Sequence, residues 1–240
     1  MILWTVVLSL VAGASGWFFF GGEDVPDFAP QYLKDRAALR EWDARAANGD
    51  AEALYRSGRA YRDGLGTEAN PTKAYRLLTR AARLGHIRAQ LELGRMAAAG
   101  DGMPQDYFRA AEWFRLAASL GKDADAAFEL GNLYLNGMGV GQDHGIAADW
   151  FTRAALAGHA GGQYILGAFE QEGWGRDRDL VMAHAWYALA AEQGDKALSY
   201  RADFDPLAGL KVVERRMNKA QMAEARTALA KLKKRITRLP

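Results

Sequence analysis

The sequence predicts an all-α fold in which about four helix pairs stack between capping helices, preceded by an N-terminal transmembrane helix. Three glycine series predict the pairs, because each series has the same successive intervals of 36, 37 and 36 residues. Amphipathic alanine-rich runs recur between these glycines in one register, which is typical of a helical repeat array. An uncharged segment at the start predicts the membrane helix. The series are Gly58, Gly94, Gly131 and Gly167; Gly64, Gly100, Gly137 and Gly173; and Gly85, Gly121, Gly158 and Gly194.

The first element is an apolar segment of 19 residues, 2–20, that carries no charged side chain. At about 1.5 Å per helical residue it reaches roughly 28 Å, close to the hydrocarbon thickness of a bilayer. A cleaved signal peptide is the alternative, because Ala12-Gly13-Ala14 resembles a cleavage site. The start lacks Lys and Arg, and the aromatic residues 17–20 suit a membrane interface. We therefore expect a retained single-pass anchor over residues 1–22, with an orientation that the flanking charges do not fix.

Residues 23–49 are predicted to form a linker and an N-terminal capping helix. The helix is expected over residues 33–47, where the sequence resembles the second helix of a repeat without its first. Such a half-repeat closes the exposed end of a stack.

Residues 50–195 are predicted to hold four copies of a unit made of helix A, a glycine-rich loop and helix B. Each helix B is preceded by a residue whose side-chain oxygen suits the N-cap position, and Pro71 follows the first of these at the favoured N1 position. The copies begin at Asp50, His86, Lys122 and His159. The predicted N-caps of helix B are Asn70, Asp106, Asp143 and Asp179.

Each helix B has a large residue, then an alanine pair, then a glycine that ends the helix. The large residues are Leu77, Trp113, Trp150 and Trp186. A glycine such as Gly58 or Gly94 inside helix A costs about 1 kcal/mol relative to alanine. Its repetition predicts a close approach of the paired helix backbone.

Residues 196–240 are predicted to close the stack with helices over 207–216 and 219–235, the second N-capped by Asn218. This region ends in a basic tail. The cations of its last ten residues are Lys231, Lys233, Lys234, Arg235 and Arg238.

These patterns resemble the Sel1-like repeat family, a relative of the tetratricopeptide repeat. The resemblance is carried by residues 130–140, by Asp143 and by residues 148–159, where length, glycines, cap, tryptophan and alanine pair all agree. It covers about residues 42–194 and implies a right-handed α-solenoid that scaffolds protein complexes, often at the bacterial envelope, without chemistry of its own. Copies two and four depart from the pattern: Ala97 and Glu170 replace a tyrosine, and Gly161-Gly162 opens copy four.

Composition excludes several classes of site. The chain has no cysteine, so it has no disulfide, thiolate zinc site or cysteine nucleophile. Its net charge is +2, but residues 211–240 hold ten basic and two acidic residues, so residues 1–210 carry −6. A net acidic body argues against nucleic-acid binding, which requires a basic face.

The candidate chemical groups all have structural explanations. His86 and His159 occupy the predicted N-cap of helix A, and His144 and His184 are not spaced with them as metal ligands on one helical turn. The glycine-rich loops follow a helix and lack the lysine of a phosphate-binding loop. The sequence therefore predicts a protein that is not an enzyme and has no metal or cofactor.

The predicted partner-binding surface is the concave face, which in the resembling family is lined by helix A. Positions around the mid-helix glycine give an aromatic row, and arginines gather at its front; Trp174 is a further anchor on a loop. Arg59 and Arg95 occupy equivalent positions, so we expect them to lie side by side and to repel unless an anionic ligand separates them. The alternative is a solvated face whose arginines pair with Glu52 and Glu92. The candidate residues are Tyr55, Arg56, Arg59, Arg62, Arg88, Arg95, Phe128, Asn132, Tyr164 and Trp174.

Together these features predict a membrane-tethered scaffold or accessory subunit whose partner is a protein, in particular a membrane complex. The alternative is a secreted or periplasmic envelope protein that binds saccharide or peptide beside an enzyme. We expect the solenoid on the periplasmic side if the protein is bacterial, with the cytoplasmic side as the alternative. The basic tail is expected to contact anionic lipid or, alternatively, to be only the polar face of a capping helix.

Overall fold

A computed structural model describes residues 30–120, 122–201 and 203–236. All regular structure in these ranges is helical. The helices are α1 (Gln31–Ala47), α2 (Ala51–Asp63), α3 (Pro71–Arg83), α4 (Ile87–Ala99), α5 (Tyr107–Leu120), α6 (Ala124–Asn136), α7 (His144–Leu156), α8 (Ala160–Glu172), α9 (Leu180–Glu192), α10 (Lys196–Tyr200), α11 (Pro206–Glu214) and α12 (Lys219–Ile236).

The predicted membrane anchor, residues 1–22, lies outside the described residues. Within the part of the chain that the structure describes, no helix combines the length and the apolar character needed to cross a bilayer.

The helices form the repeat solenoid that the sequence predicts. Helix A of the four copies is α2, α4, α6 and α8, and helix B is α3, α5, α7 and α9. Each helix A packs against its own helix B, and each helix B packs against the next helix A. The core between them is dominated by alanine, leucine and phenylalanine, with Phe114 and Phe151 nearly free of solvent contact. Small residues let the helices approach, and the few large rings fill the remaining space.

The predicted caps are confirmed at both helices of the repeat. Asn70 Oδ1 accepts from Lys73 N at 2.9 Å at the start of α3. At helix A, His86 Nδ1 accepts from Ala89 N at 3.2 Å, which is the role that aspartate has in alternate copies. Each cap satisfies an amide that the first helical turn leaves free. The same bond is made by Asp50, Asp106, Asp123, Asp143, His159 and Asp179.

The group that packs against the mid-helix glycines differs from the predicted one. A Cβ built on Gly131 would lie 2.7 Å from Cε1 of Phe151, and one on Gly167 would lie 2.6 Å from Cδ1 of Tyr187. The group against the glycine is thus a large side chain of helix B, and not the helix B backbone that the sequence predicted. Leu78 and Phe114 occupy the same place in the first two copies.

Glycines in the A–B loops join successive repeats. Gly175 has φ +70°, and a Cβ there would lie 2.5 Å from the carbonyl oxygen of His144, at the start of the preceding helix B. Gly66, Gly102 and Gly139 approach the preceding helix in the same way. Each loop therefore rests directly on backbone of the repeat before it, a contact that a side chain would block.

The closing elements agree with the prediction to within two residues, with one addition. Asn218 and Gln221 exchange side-chain to backbone hydrogen bonds of 2.9 Å, so Asn218 caps α12 as predicted. Helix α12 packs on α9, and Lys233 of its basic last turn forms an ion pair with Glu192. The short helix α10, between Gly194 and the closing helices, is not anticipated by the sequence.

Candidate functional site

The solvent-facing residues of helix A form one stripe along the stack. In α2 the exposed residues are spaced three or four apart, which places them on a single helical face. The equivalent residues of α4 and α6 are also exposed or half-buried. We call this surface the helix-A stripe. It comprises Glu52, Arg56, Arg59 and Asp63 of α2, Arg88, Glu92, Arg95 and Ala99 of α4, and Asp125, Glu129, Asn132 and Asn136 of α6.

The predicted aromatic row lies beneath this stripe. Tyr55 is 7% and Phe128 6% exposed. Tyr55 stacks on His86 with ring centroids 4.4 Å apart, and Phe128 stacks on His159 at 4.3 Å. Tyr55 and Phe128 are therefore not open to a partner as the predicted aromatic row requires, because each is covered by the cap histidine of the following repeat.

The front arginines pair with carboxylates of the chain. Arg56 Nε lies 2.6 Å from Glu52, and Arg62 forms an ion pair with Glu92 of the next repeat. The pairing with Glu52 and Glu92 in the alternative interpretation is therefore present, with the Arg56 pair exposed and the Arg62 pair largely buried.

The predicted repulsion between Arg59 and Arg95 is also wrong. Arg59 lies 3.7 Å from Asp63, whereas Arg95 reaches Asp125 at 3.5 Å and Glu129 at 3.4 Å. Each guanidinium group already has a carboxylate from this chain, so no anionic ligand is needed to separate them.

Two candidate residues remain accessible without a strong charged partner. Arg88 is exposed on the first turn of α4 and has no ion pair within the described residues. Trp174 is 46% exposed on the loop after α8, with its ring against Phe169 at 5.6 Å and near His144 at 6.3 Å. The indole is thus partly covered by its own repeat and by the start of helix B of the preceding one, and 46% of it remains exposed.

The charge of helix A changes sign along the stack. Helices α2 and α4 carry five arginines and three carboxylates, whereas α6 and α8 carry four carboxylates and no Lys or Arg. Burial raises the pKa of Glu129, although Arg95 opposes this. Burial likewise raises the pKa of Glu170, whose Oε1 lies 3.2 Å from Arg176 Nη1. The basic front was predicted; the acidic back was not.

A groove of about 300 Å³ lies between α4 and α6, where this sign changes. Arg95, Glu129 and Asn132 of the helix-A stripe line it, together with Ala98 and Ala99. Its remaining walls are Tyr107, Phe114, Leu133 and Met138. Two of the predicted residues, Arg95 and Asn132, are therefore brought together at one depression.

The face of α8 that would continue the helix-A stripe is covered by the chain itself. Residues 196–201 and 203–205, which we call the crossing segment, lie across α8. Phe204 stacks on Tyr164 at 4.6 Å, and the Tyr164 hydroxyl donates to the Asp203 carbonyl at 3.2 Å. Tyr200 lies 4.2 Å from the His159 ring. The predicted binding residue Tyr164 is thus occupied by an internal contact.

The sequence held a signal for this cover. The positions of α8 equivalent to the stripe are Gly161, Ile165, Ala168 and Glu172, and the first two are apolar where the other three copies are charged. A Cβ on Gly161 would lie 3.2 Å from both Tyr200 and Phe128, so glycine leaves room for the crossing segment. The unusual opening of copy four therefore has a packing cause.

The histidines have structural roles here. Burial lowers the pKa of His159 to about 4, against the attraction of Asp125. His86 Nε2 lies 2.9 Å from Glu52, and His184 Nε2 lies 3.2 Å from Glu214, which joins α9 to α11. Among the described residues, no three His, Asp or Glu side chains are grouped as metal ligands.

Comparison with known proteins gives one family. The protein-family model for the Sel1 repeat matches residues 51–86, 87–122, 124–159 and 160–195. No curated protein matches the sequence significantly.

Two solved structures show the same architecture. A Sel1 repeat protein from Oxalobacter formigenes is 27% identical, with a TM-score of 0.64 over 80% of this chain and 84% of that one. A protective antigen of uropathogenic Escherichia coli strains that displays an SLR fold is 24% identical, with a TM-score of 0.50. The second match covers 84% of this chain and 49% of that one.

Proposed function

Because the chain belongs to the Sel1 repeat family, whose members generally mediate protein–protein interactions as scaffolds, we propose that it is a non-catalytic scaffold or accessory subunit. Its partner is another protein, which it binds through the helix-A stripe. The observation that carries this proposal is the stripe itself: three successive repeats present charged side chains and a groove on one continuous surface. Extended surfaces of this kind are what stacked repeats offer to partners.

The basic front of the stripe favours a partner with acidic character. Arg88 supports this most directly, because it is exposed and has no ion pair within the described part of the chain. Arg59 retains an exposed side chain, which lies 3.7 Å from Asp63 and 5.9 Å from the centre of the Tyr55 ring. Arginine in such a position binds carboxylates through paired donors.

Membrane tethering is a further part of the proposal. It rests on the uncharged residues 2–20, which are long enough to cross a bilayer as a helix. The partner is then a membrane complex, and the basic tail is a second contact, with anionic lipid. Lys231 and Arg235 support the tail contact, because they are exposed on α12.

One preparation tests these points together. The full-length chain, tagged at its C-terminus, is extracted from membranes in mild detergent, and its co-purifying proteins are identified. Arg59→Glu combined with Arg88→Glu is expected to remove the partner while moving the unfolding midpoint little, because both side chains are exposed. The matched control is Arg83→Glu with Arg115→Glu, two exposed arginines of helix B.

Retention of the same partner by the stripe variant would place the binding surface elsewhere. The intact mass of the extracted chain shows whether the N-terminal membrane anchor is retained or cleaved. A mass that begins at Met1 supports tethering, and one that begins at Ser15 contradicts it.

A further inference from the structure

The groove between α4 and α6 coincides with the reversal of charge along the helix-A stripe. Building on the proposed function, we propose that the stripe binds an extended, bipolar segment of the partner protein. A large apolar side chain of that segment enters the groove, carboxylates lie on the α2 side, and Lys or Arg lies on the α6 side.

The groove exists because α4 ends in alanines. Ala98 and Ala99 stand where α2 has Arg62 and Asp63, and where α6 has larger side chains. Their small size leaves about 300 Å³ beside Phe114. That volume suits a single leucine, phenylalanine or tryptophan side chain, and buried anchors of this kind dominate interface energies.

The charges on either side set the order of the partner's residues. Helix α2 carries three arginines and two carboxylates, and the unpaired Arg88 adds a further cation on α4. On α6, Arg95 is the only cation beside Asp125 and Glu129 among the described residues, because the His159 ring and the Tyr200 hydroxyl that also face Asp125 are neutral, and negative charge is left there. Complementary charges at a rim guide encounter and orientation, and a segment with like charges facing these two sides is disfavoured.

The crossing segment limits how far the partner can extend. It covers Gly161 and Tyr164 of α8, and its Tyr200 lies against Phe128 and Asp125 at the start of α6, so the accessible stripe spans α2, α4 and the rest of α6. A helix with its side chains is about 10–12 Å across, and an extended chain rises roughly 3.3 Å per residue. About three residues therefore cross each helix, so a segment of roughly nine residues spans the site.

Synthetic peptides of about nine residues test the charge order. All carry a central tryptophan; one is acidic on one side and basic on the other, one is acidic on both sides, and one is basic on both. Binding to the purified chain is measured by fluorescence anisotropy in low salt. The bipolar peptide is expected to bind about tenfold tighter than either of the others, with the difference shrinking as salt rises. Equal affinities for the three peptides would overturn the proposal.

Filling the groove tests whether an apolar side chain of the partner binds there. Ala98→Phe is expected to weaken the bipolar peptide about tenfold, whereas Ala223→Phe, on the exposed face of α12, leaves binding unchanged. Circular dichroism checks that each variant folds, and the exposed Ala99→Phe replaces Ala98→Phe if the latter does not. Unchanged binding by a folded groove variant contradicts the proposal.

Photo-crosslinking fixes the orientation. A crosslinker at the acidic end of the peptide is expected to mark α2 or α4, and one at the basic end to mark α6. The reverse pattern overturns the charge order.

The experiments distinguish a failure of the proposed scaffold function from a failure of the groove proposal. If the membrane partner is lost with Arg59→Glu and Arg88→Glu but retained with the groove variant, the scaffold function is supported. The proposal that an apolar side chain of the partner enters the groove is then wrong. If no partner co-purifies but the bipolar peptide binds in the groove, the groove inference stands and the membrane-complex function is wrong.

Discussion

Single residues at the A-helix caps link neighbouring repeats. His86 and His159 each accept a backbone amide of their own helix and stack on the aromatic ring of the preceding repeat. The first-turn carboxylates Glu52 and Asp125 lie 2.9 and 3.5 Å from their Nε2 atoms. One imidazole thus serves as cap, stacking surface and inter-repeat polar contact, whereas a carboxylate at the cap, such as Asp50 paired with Arg45, has no ring to stack.

The burial of His159 predicts acid sensitivity. Its folded-state pKa of about 4 lies below the ordinary 6.5, so the folded protein keeps the ring neutral while the unfolded chain takes up a proton. The contribution of the neutral His159 ring to the free energy of unfolding is complete above pH 6.5 and is lost as the pH falls toward 4. The free energy of unfolding is expected to fall by about 2 kcal/mol between pH 7 and pH 5. His159→Asn keeps a capping oxygen without a titrating group and is expected to remove this part of the pH dependence in urea unfolding.

NMR titration of the His159 ring provides the independent check. Its midpoint is expected near pH 4, because burial lowers the pKa. A midpoint near 6.5 in the folded protein would contradict both the burial and the predicted stability change.

Helix pairing within a repeat depends on a glycine that faces a large side chain twenty positions later. Gly131 faces Phe151, and Gly167 faces Tyr187, at Cβ separations that no side chain tolerates. The ring fills the space that the missing side chain leaves, so the two positions act as one packing unit. The tryptophans that precede these rings are less buried in copies two and three, where Trp113 and Trp150 are half-exposed.

Gly131→Ala is therefore expected to destabilise the chain by about 1–3 kcal/mol, because overpacking outweighs the helix propensity gained. Gly141→Ala is the control, since nothing lies within 4 Å of its Cβ position. It is expected to change the free energy of unfolding by less than about 0.5 kcal/mol. Urea unfolding followed by circular dichroism measures both, and equal effects would show that Phe151 accommodates the methyl group.

The whole molecule is asymmetric because its last repeat is closed from two sides. Helices α11 and α12 pack on α9, while the crossing segment covers α8. Phe204 stacks on Tyr164 at 4.6 Å, as the cap histidines stack on Tyr55 and Phe128 in earlier copies. The crossing segment thus replaces the missing fifth repeat on the helix-A side, reaches Phe128 of copy three through Tyr200, and leaves the first two repeats open.

Phe204→Ala is expected to expose the last repeat and to cost about 3–5 kcal/mol, because the ring is 5% exposed. Leu207→Ala, three residues later and 61% exposed, is expected to change stability little. Hydrogen exchange localises the effect: faster exchange in α8 supports the covering role. Equal protection of α8 in the two variants would show that the crossing segment does not stabilise this repeat.

The sequence by itself determined the helix pairs, their boundaries and their caps. These features are set by local interactions: Asn70 bonds an amide three residues on, and glycine ends a helix through its own φ. It also determined the basic front of helix A, since charge is a property of composition.

Tertiary structure alone decided which side chains the repeats leave exposed. Tyr55 and Phe128 are at helical positions that suit a groove, yet the next repeat's histidine covers them. The groove beside Ala98 and the cover over Tyr164 likewise depend on residues from other repeats and from the crossing segment. Exposure is fixed by how neighbouring repeats superimpose, and periodicity within one repeat carries no information about that contact.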